Sequence, residues 1–236
     1  MYNFLMHRVF DILIHGPDGR LEGAYCRGKS SKAVLLLHPD PEHGGHMRSK
    51  IMQFLNAIFI KDNFDTLRIN FRGVGKSQGK FSKGKYELFD ALAALDWLTQ
   101  RTGPTLTQLW IVGYSFGALI ALQSAMRRPE TTNFVSITPS IESGDLNLLT
   151  PCPNGLFIHG SEDTTVNHVH TQSLSETLQR QNNIINYCCI DQADHYYTNK
   201  LADLQNIICD YIHQADLNNT SKDIAQNSRT LQLFHS

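Results

Sequence analysis

One stretch decides the fold of this chain: Ile111-Val112-Gly113-Tyr114-Ser115-Phe116-Gly117-Ala118, which contains the pattern G-x-S-x-G. Residues 109–112 are apolar and predict a buried strand, whereas the Ala- and Leu-rich residues 118–126 predict a helix. Ser115 is therefore expected on a tight turn between a strand and a helix.

This predicted turn suits a nucleophile. Gly113 and Gly117 are the second neighbours of Ser115, where a larger side chain would clash, and Tyr114 directly precedes the serine. Such a turn projects the hydroxyl away from the backbone and places the amide of Phe116 at a helix N-terminus, where a developing oxyanion is stabilised. The sequence predicts that Ser115 is a nucleophile; the alternative is an ordinary serine in a βα turn.

The composition is that of an ordinary globular domain. The 236 residues are 41% hydrophobic and 18% charged, with a formal net charge of −1, and a nucleic-acid binder would carry a basic excess. No apolar run reaches the length of about 18 residues expected for a membrane span, and we expect no signal peptide. The five cysteines are odd in number and lack C-x-x-C spacing, which favours a reduced, cytoplasmic protein.

Predicted strands and helices alternate along the chain. A hairpin comes first, with strands 9–14 and 21–26 joined by Gly16-Pro17-Asp18-Gly19. The later predicted strands are 33–37, 65–71, 109–112, 134–137, 156–158 and 184–190, and the predicted helices are 50–60, 86–99, 118–126, 169–178 and 201–212. The alternation predicts an α/β fold: a mostly parallel, doubly wound sheet of about 7–8 strands, with an N-terminal antiparallel hairpin and helices on both faces.

The predicted domain organisation is simple. Residues 1–215 are expected to form a single domain, because no linker or internal repeat interrupts them. Residues 216–236 are polar and poorly periodic, so we expect a peripheral or mobile tail there. The sequence leaves a homo-oligomer open.

A serine nucleophile needs a base and an acid, and both are present after later strands. The reactive crevice of an open parallel sheet lies at the carboxyl ends of its strands. Asp163 follows strand 156–158 and His195 follows strand 184–190, which gives the chain order Ser115, Asp163, His195 of a nucleophile, its acid and its base. Glu162 and Asp145 are rivals for the acid, since both could also lie at strand ends.

A second oxyanion donor is expected in the loop after strand 33–37, which reads His38-Pro39-Asp40-Pro41. Proline has no N–H, so Asp40 supplies the amide donor among the three residues that follow His38. We assign the backbone of Asp40, and not its carboxylate, to the oxyanion hole. His38 is expected to support this loop by hydrogen bonding.

Together these motifs resemble the α/β-hydrolase superfamily, and in particular a small bacterial family of lidless hydrolases that is sometimes grouped with dienelactone-hydrolase-like proteins. The matching stretches are His38-Pro39-Asp40-Pro41 with Gly44-Gly45-His46-Met47, residues 68–79, residues 113–118, His159-Gly160-Ser161-Glu162-Asp163, and Ala193-Asp194-His195. The resemblance implies a serine hydrolase whose natural substrate is generally unassigned in this family. The family more often has histidine at position 40 and threonine at position 46, so the departures affect the entrance and spare the predicted triad.

Signals for cofactors are weak, and we predict neither a cofactor nor a metal. Gly75-Lys76-Ser77 imitates the end of a phosphate-binding loop, but Asn70 stands where that motif requires glycine. The histidines at positions 38, 43, 46, 168 and 170 lack further ligands at the spacing of a metal site.

A basic run lies near the expected mouth of the crevice. It consists of Arg72, Lys76, Lys80, Lys83 and Lys85. The simplest interpretation is a solvated loop, with Arg72 supporting the pocket; the alternative is a bias toward anionic substrates.

The short segment 138–155 leaves no room for a large helical lid, which predicts an open crevice for soluble substrates. We predict a hydrolase that cleaves acyl bonds of a small molecule through an acyl-enzyme, with carboxylic esters as the first choice. Thioesters and short-peptide amides are alternatives, because one triad can serve all three. A non-catalytic binding protein of the same fold is the alternative from another class, although the retained Ser115, Asp163 and His195 argue against it.

Overall fold

A single sheet organises the molecule. The computed structural model describes residues 8–141, 152–181 and 184–233, with side chains as far as residue 219. The strands in these ranges are β1 (Val9–Gly16), β2 (Gly19–Cys26), β3 (Lys32–Leu37), β4 (Asp65–Ile69), β5 (Gln108–Tyr114), β6 (Asn133–Ile137), β7 (Asn154–Gly160) and β8 (Ile185–Ile190). The helices are α1 (Lys50–Lys61), α2 (Glu87–Thr102), α3 (Phe116–Ala125), α4 (His168–Gln179) and α5 (Leu201–Leu233).

The topology confirms the predicted fold class. The eight strands lie in the order β1-β2-β4-β3-β5-β6-β7-β8. β1 pairs antiparallel with β2, and β2 pairs antiparallel with β4, whereas every pairing from β4 to β8 is parallel. The N-terminal hairpin is therefore an antiparallel edge on a parallel sheet, as the sequence predicted.

Helices bury both faces of this sheet, which explains why the central strands are apolar throughout. On one face, side chains of α2, α3 and α4 pack with Leu35 and Ile111 in one hydrophobic core. On the other face, side chains of α1 and α5 pack with Leu36 and Val112 in a second core. Successive strand residues point to opposite faces, so both must be apolar when both faces are covered.

The parallel strands bring distant loops to one edge. β3, β5, β7 and β8 end at Leu37, Tyr114, Gly160 and Ile190. Because neighbouring parallel strands end at the same edge of a sheet, the loops that follow these four strands converge there. This edge carries the predicted site.

The last helix differs from its predicted length. We expected it to end at residue 212, yet α5 continues to Leu233 and so crosses the predicted boundary between domain and tail. Polar contacts hold the crossing point: the Lys32 ammonium donates to Asp216 Oδ2 at 2.9 Å, and the Gln108 side-chain amide donates to Asp216 Oδ1 at 2.7 Å. These contacts require no apolar periodicity, which is why the pattern did not reveal them. Within the described residues, no helix is both long and apolar enough to span a membrane.

Candidate active site

Ser115 lies between β5 and α3 in a strained backbone conformation. Its φ of 54° and ψ of −117° fall outside the regions that residues with a side chain usually adopt. A Cβ on Gly113 would lie 2.1 Å from the Gly117 carbonyl oxygen, and a Cβ on Gly117 would lie 2.3 Å from the Leu37 carbonyl oxygen. Both glycines are therefore required by close backbone contacts around the turn.

The hydroxyl of Ser115 has a hydroxyl neighbour in this structure. Its Oγ lies 3.2 Å from Ser140 Oγ, and the Ser115 amide donates to the Ile137 carbonyl at 2.9 Å. Among the described residues, no hydrogen bond joins Ser115 Oγ to the ring of His195. Hydrogen bonds of catalytic groups are often long or absent in unliganded enzymes and form only with substrate present.

Asp163 and His195 form a hydrogen-bonded pair. His195 Nδ1 lies 2.9 Å from Asp163 Oδ2, and the other carboxylate oxygen accepts from the amides of Thr165 at 2.8 Å and Val166 at 2.9 Å. Burial alone would raise the pKa of Asp163, but hydrogen bonds from His159, His195 and the Val166 amide outweigh burial and hold that pKa well below its ordinary value. The carboxylate is therefore ionised and fixed in orientation.

The rival acids have different positions. Glu162 is exposed, and its amide donates to the Ala193 carbonyl at 2.9 Å. Asp145 lies outside the described residues, as does most of the segment 138–155 for which a lid was predicted to be absent. Asp163 and Glu162 can therefore be compared, and of these two carboxylates Asp163 is the one in contact with His195.

A second histidine, which the sequence reasoning did not select, contacts the same carboxylate. His159 is completely buried, and its Nε2 lies 3.3 Å from Asp163 Oδ2 and 3.0 Å from the Val166 carbonyl oxygen. Its Nδ1 lies 2.9 Å from the hydroxyl of Thr171 on α4. His159 is the last residue but one of β7, and that position at the end of a strand was the available signal.

Tyr114 connects the serine turn to the histidine loop. Its hydroxyl donates to the backbone carbonyl of His195, and the two rings pack with centroids 5.8 Å apart. Burial raises the pKa of Tyr114, so the phenol remains protonated and able to donate. The residue directly before Ser115 is thus in contact with the predicted base.

The loop after β3 surrounds the predicted second oxyanion donor. His38 is fully buried; its Nδ1 lies 2.6 Å from the Pro39 carbonyl oxygen, and its Nε2 accepts from the Phe71 amide at 3.1 Å. The Asp40 carboxylate accepts from the Glu42 amide at 2.8 Å and so caps a short 3₁₀ turn. Burial lowers the pKa of His38 to about 4, so the ring is neutral, with one nitrogen donating and the other accepting.

Arg72 has a buried carboxylate partner. Its guanidinium contacts Asp90 on α2 through Nη2 at 2.6 Å and Nε at 3.0 Å, and its amide donates to the same carboxylate at 3.0 Å. Arg72 therefore ties the start of the loop after β4 to α2. Elsewhere in the basic run, the Lys83 ammonium lies 2.9 Å from Glu42.

The electrostatics of the site come from these side chains. Among the described residues, no group of three or more His, Cys, Asp or Glu side chains is placed to hold a metal ion. The chemistry that this arrangement can perform is proton transfer. Ser115 follows Tyr114, whose hydroxyl contacts the backbone of His195, and the imidazole of His195 is oriented by the ionised carboxylate of Asp163.

Comparisons with known proteins identify the fold family of this chain. The model of the alpha/beta hydrolase fold family matches residues 32–180. An uncharacterized protein of Rickettsia prowazekii is 39% identical over 236 residues, covering 94% of this chain and 99% of that protein.

Two solved structures extend the comparison. A protein of unknown function from Agrobacterium tumefaciens, a candidate alpha/beta hydrolase, has a TM-score of 0.82 and 39% identity; the match covers 89% of this chain and 97% of that protein's chain. A serine hydrolase without a lid from Xanthomonas campestris has a TM-score of 0.79 and 26% identity; the match covers 91% of this chain and 97% of that protein's chain. The dienelactone-hydrolase likeness stays a prediction. This chain belongs to the α/β-hydrolase family.

Proposed function

We propose that this protein is a serine hydrolase that cleaves acyl bonds, with carboxylic esters as the first substrate class. The observation that carries the proposal is the Asp163–His195 hydrogen bond at 2.9 Å. Tyr114, which directly precedes the Ser115 turn with its φ of 54°, links that turn to the pair by donating to the His195 carbonyl. A strained backbone persists only where the surrounding structure supports it, and such strain concentrates at functional sites. The similarity to the serine hydrolase without a lid from Xanthomonas campestris supports the same proposal.

In the proposed mechanism, Ser115 attacks the acyl carbonyl while His195 Nε2 takes the hydroxyl proton. Asp163 holds Nδ1 in its protonated form, which leaves Nε2 as the acceptor, and stabilises the imidazolium that forms. His195 then returns the proton to the leaving alcohol, and an acyl-enzyme results. Water activated by the same imidazole releases the acid.

Two backbone amides are proposed to hold the oxyanion. Phe116 is the first residue of α3, so its amide has no acceptor within that helix. Asp40 would supply the second amide from the loop that His38 supports. Ser115 Oγ must leave Ser140 and turn toward His195 for this chemistry to begin.

The proposed substrate is a soluble small molecule, and thioesters and short-peptide amides follow esters in order. A lidless relative favours an open crevice here as well. A marked rise in activity at a lipid–water interface would contradict this part of the proposal.

The test is labelling with a serine-directed fluorophosphonate. We expect the native protein to be labelled and Ser115→Ala to remain unlabelled. Ser140→Ala is the matched control, because its hydroxyl lies 3.2 Å from that of Ser115 and the variant should still be labelled. Labelling that persists in Ser115→Ala, or disappears only in Ser140→Ala, would overturn the assignment. A panel of esters, thioesters and amides then ranks the substrate classes.

A further inference from the structure

The carboxylate of Asp163 contacts two imidazoles, and one of them has no part in the mechanism above. Oδ2 lies 2.9 Å from His195 Nδ1 and 3.3 Å from His159 Nε2. The side chains of Asp163 and His159 are both without exposed surface, so water cannot take the place of either contact. A buried polar group is retained at such a position only when its partners satisfy it.

The neighbours of His159 decide where its proton lies. The Nε2 atom faces two acceptors, the Val166 carbonyl oxygen at 3.0 Å and Asp163 Oδ2. Nε2 must therefore carry the hydrogen, and in the neutral ring Nδ1 accepts from the Thr171 hydroxyl at 2.9 Å. The contacts form a continuous chain from Thr171 through His159 and Asp163 to His195.

We propose that His159 is a positioning residue for the reaction, which holds the Asp163 carboxylate against His195 and limits the negative charge that this carboxylate presents to the imidazole. This inference rests on the proposed function. The Asp163 carboxylate accepts hydrogen bonds from the amides of Thr165 and Val166 and from His195. His159 Nε2, whose hydrogen also faces the Val166 carbonyl, adds a longer polar contact of 3.3 Å to Asp163 Oδ2. Each of these contacts withdraws charge from the carboxylate, and together they fix its plane.

Other titratable groups surround the chain of contacts. They are His168, whose ring centroid lies 6.3 Å from that of His159, together with Tyr114, Tyr196, Tyr197 and Asp194. Burial raises the pKa of Tyr114 and of Tyr197, so both phenols stay neutral through the range of the assay. Backbone and side-chain hydrogen bonds from Thr198 lower the pKa of Asp194, so this carboxylate stays ionised.

The first experiment compares His159→Leu with His159→Gln. Leucine removes the donor, whereas the glutamine amide can replace the Nε2–H. We expect His159→Leu to lower kcat about 10-fold at unchanged KM. The reason is that the free energy of one ordinary hydrogen bond, if it is lost from the transition state, corresponds to about a tenfold decrease in rate. The acid limb of its pH profile should move to higher pH, since more charge on Asp163 stabilises the His195 imidazolium. His159→Gln should stay within about 3-fold of the native kcat.

A matched control and a milder variant keep this test decisive. His168→Leu, which alters a histidine outside the chain of contacts, should leave the pH profile in place. Thr171→Val removes the hydroxyl that polarises His159, so it should shift the acid limb of the pH profile in the same direction by a smaller amount. Ser175→Ala removes another buried hydroxyl of α4 and should not shift the acid limb.

Several outcomes would overturn the inference. A folded His159→Leu with native kcat and pH profile would do so, as would a His159→Gln equally impaired, because packing alone would then explain the loss. If His159→Leu does not fold, an unshifted profile in Thr171→Val overturns it. The proton between His195 and Asp163 gives a low-field NMR resonance, so the effect of His159 on this pair can be measured without turnover. A native protein that is inert to substrate and to fluorophosphonate would refute the proposed function, whatever the NMR measurement shows.

Discussion

The two halves of the candidate site differ in how completely they are assembled. The acid–base half, Asp163 with His195, is joined at 2.9 Å and supported by further donors. The nucleophile half has a fixed backbone, but its side chain is not hydrogen-bonded to His195, because Ser115 Oγ faces the Ser140 hydroxyl at 3.2 Å. The loops after β7 and β8 thus hold the proposed base in a fixed orientation before any substrate is present.

The difference follows from what fixes each group. Asp163 accepts hydrogen bonds from the backbone of its own loop, and such bonds hold a side chain as firmly as the loop itself is held. The backbone of Ser115 is held by close contacts of Gly113 and Gly117, but those contacts leave rotation about χ1 free. In the proposed mechanism, the side chain of Ser115 therefore has to rotate away from Ser140 before it can react.

The largest expected effect comes from breaking the assembled half. Asp163→Asn keeps the shape of the acid but allows its amide to donate to His195 Nδ1, which favours the wrong tautomer of the base. We expect kcat for ester hydrolysis to fall about 10³- to 10⁴-fold, with the fold retained. Steady-state kinetics measure the loss, and circular dichroism serves as the control for folding. A loss below about 10-fold would mean that Asp163 does not orient the base.

The two halves should also contribute to the free energy of unfolding over different ranges of pH. His38 supports the loop of the nucleophile half, and burial lowers its pKa from 6.5 to about 4. The unfolded chain then binds a proton that the fold excludes, so stability is complete above about pH 6.5 and falls by about 3 kcal/mol as the pH drops to about 4. Asp163 also has a lowered pKa, but its contribution is lost only below its ordinary value of 3.8.

Denaturant unfolding between pH 7 and pH 4 measures this dependence. His38→Gln, which keeps an acceptor for the Phe71 amide, should flatten the curve over that interval. Ser175→Ala, which removes a buried hydroxyl on α4 and no titratable group, should leave the shape of the curve unchanged. An equal slope in the native protein and in His38→Gln would show that another group titrates there.

The sequence predicted the fold and the contact between Asp163 and His195 because both depend on chain order. Alternating apolar strands and helices required a covered parallel sheet, and the positions of Asp163 and His195 after later strands were enough to select them. The resting contact of Ser115 with Ser140 could not be predicted, since a rotamer depends on neighbours that only the fold brings together. The contacts of His159 were hidden for the same reason: its partner Thr171 is on α4.

Tyr114 joins the two halves and offers a smaller effect. Its hydroxyl donates to the His195 carbonyl, and Tyr114→Phe leaves that acceptor unpaired at a cost of about 1–3 kcal/mol. Because the contact holds the histidine loop beside the serine turn, kcat/KM should fall about 10-fold. Tyr211→Phe is the matched control: this buried tyrosine accepts from Asn133 at 3.2 Å and contacts neither Ser115 nor His195 among the described residues. Equal kinetic losses in both variants would indicate a general loss of stability.

The smallest effect should come from freeing the nucleophile. In the proposed mechanism Ser115 Oγ must exchange the Ser140 hydroxyl for His195, and a neutral hydrogen bond such as the one to Ser140 is worth about 0.5–1.5 kcal/mol. Ser140 is half-buried, so water replaces part of that interaction, and Ser140→Ala should raise the rate of fluorophosphonate labelling only about 2- to 3-fold. Ser140→Thr retains the hydroxyl and should label at the native rate. Slower labelling of Ser140→Ala would mean that Ser140 assists the nucleophile, and the contrast between a prepared base and an unengaged serine would then disappear.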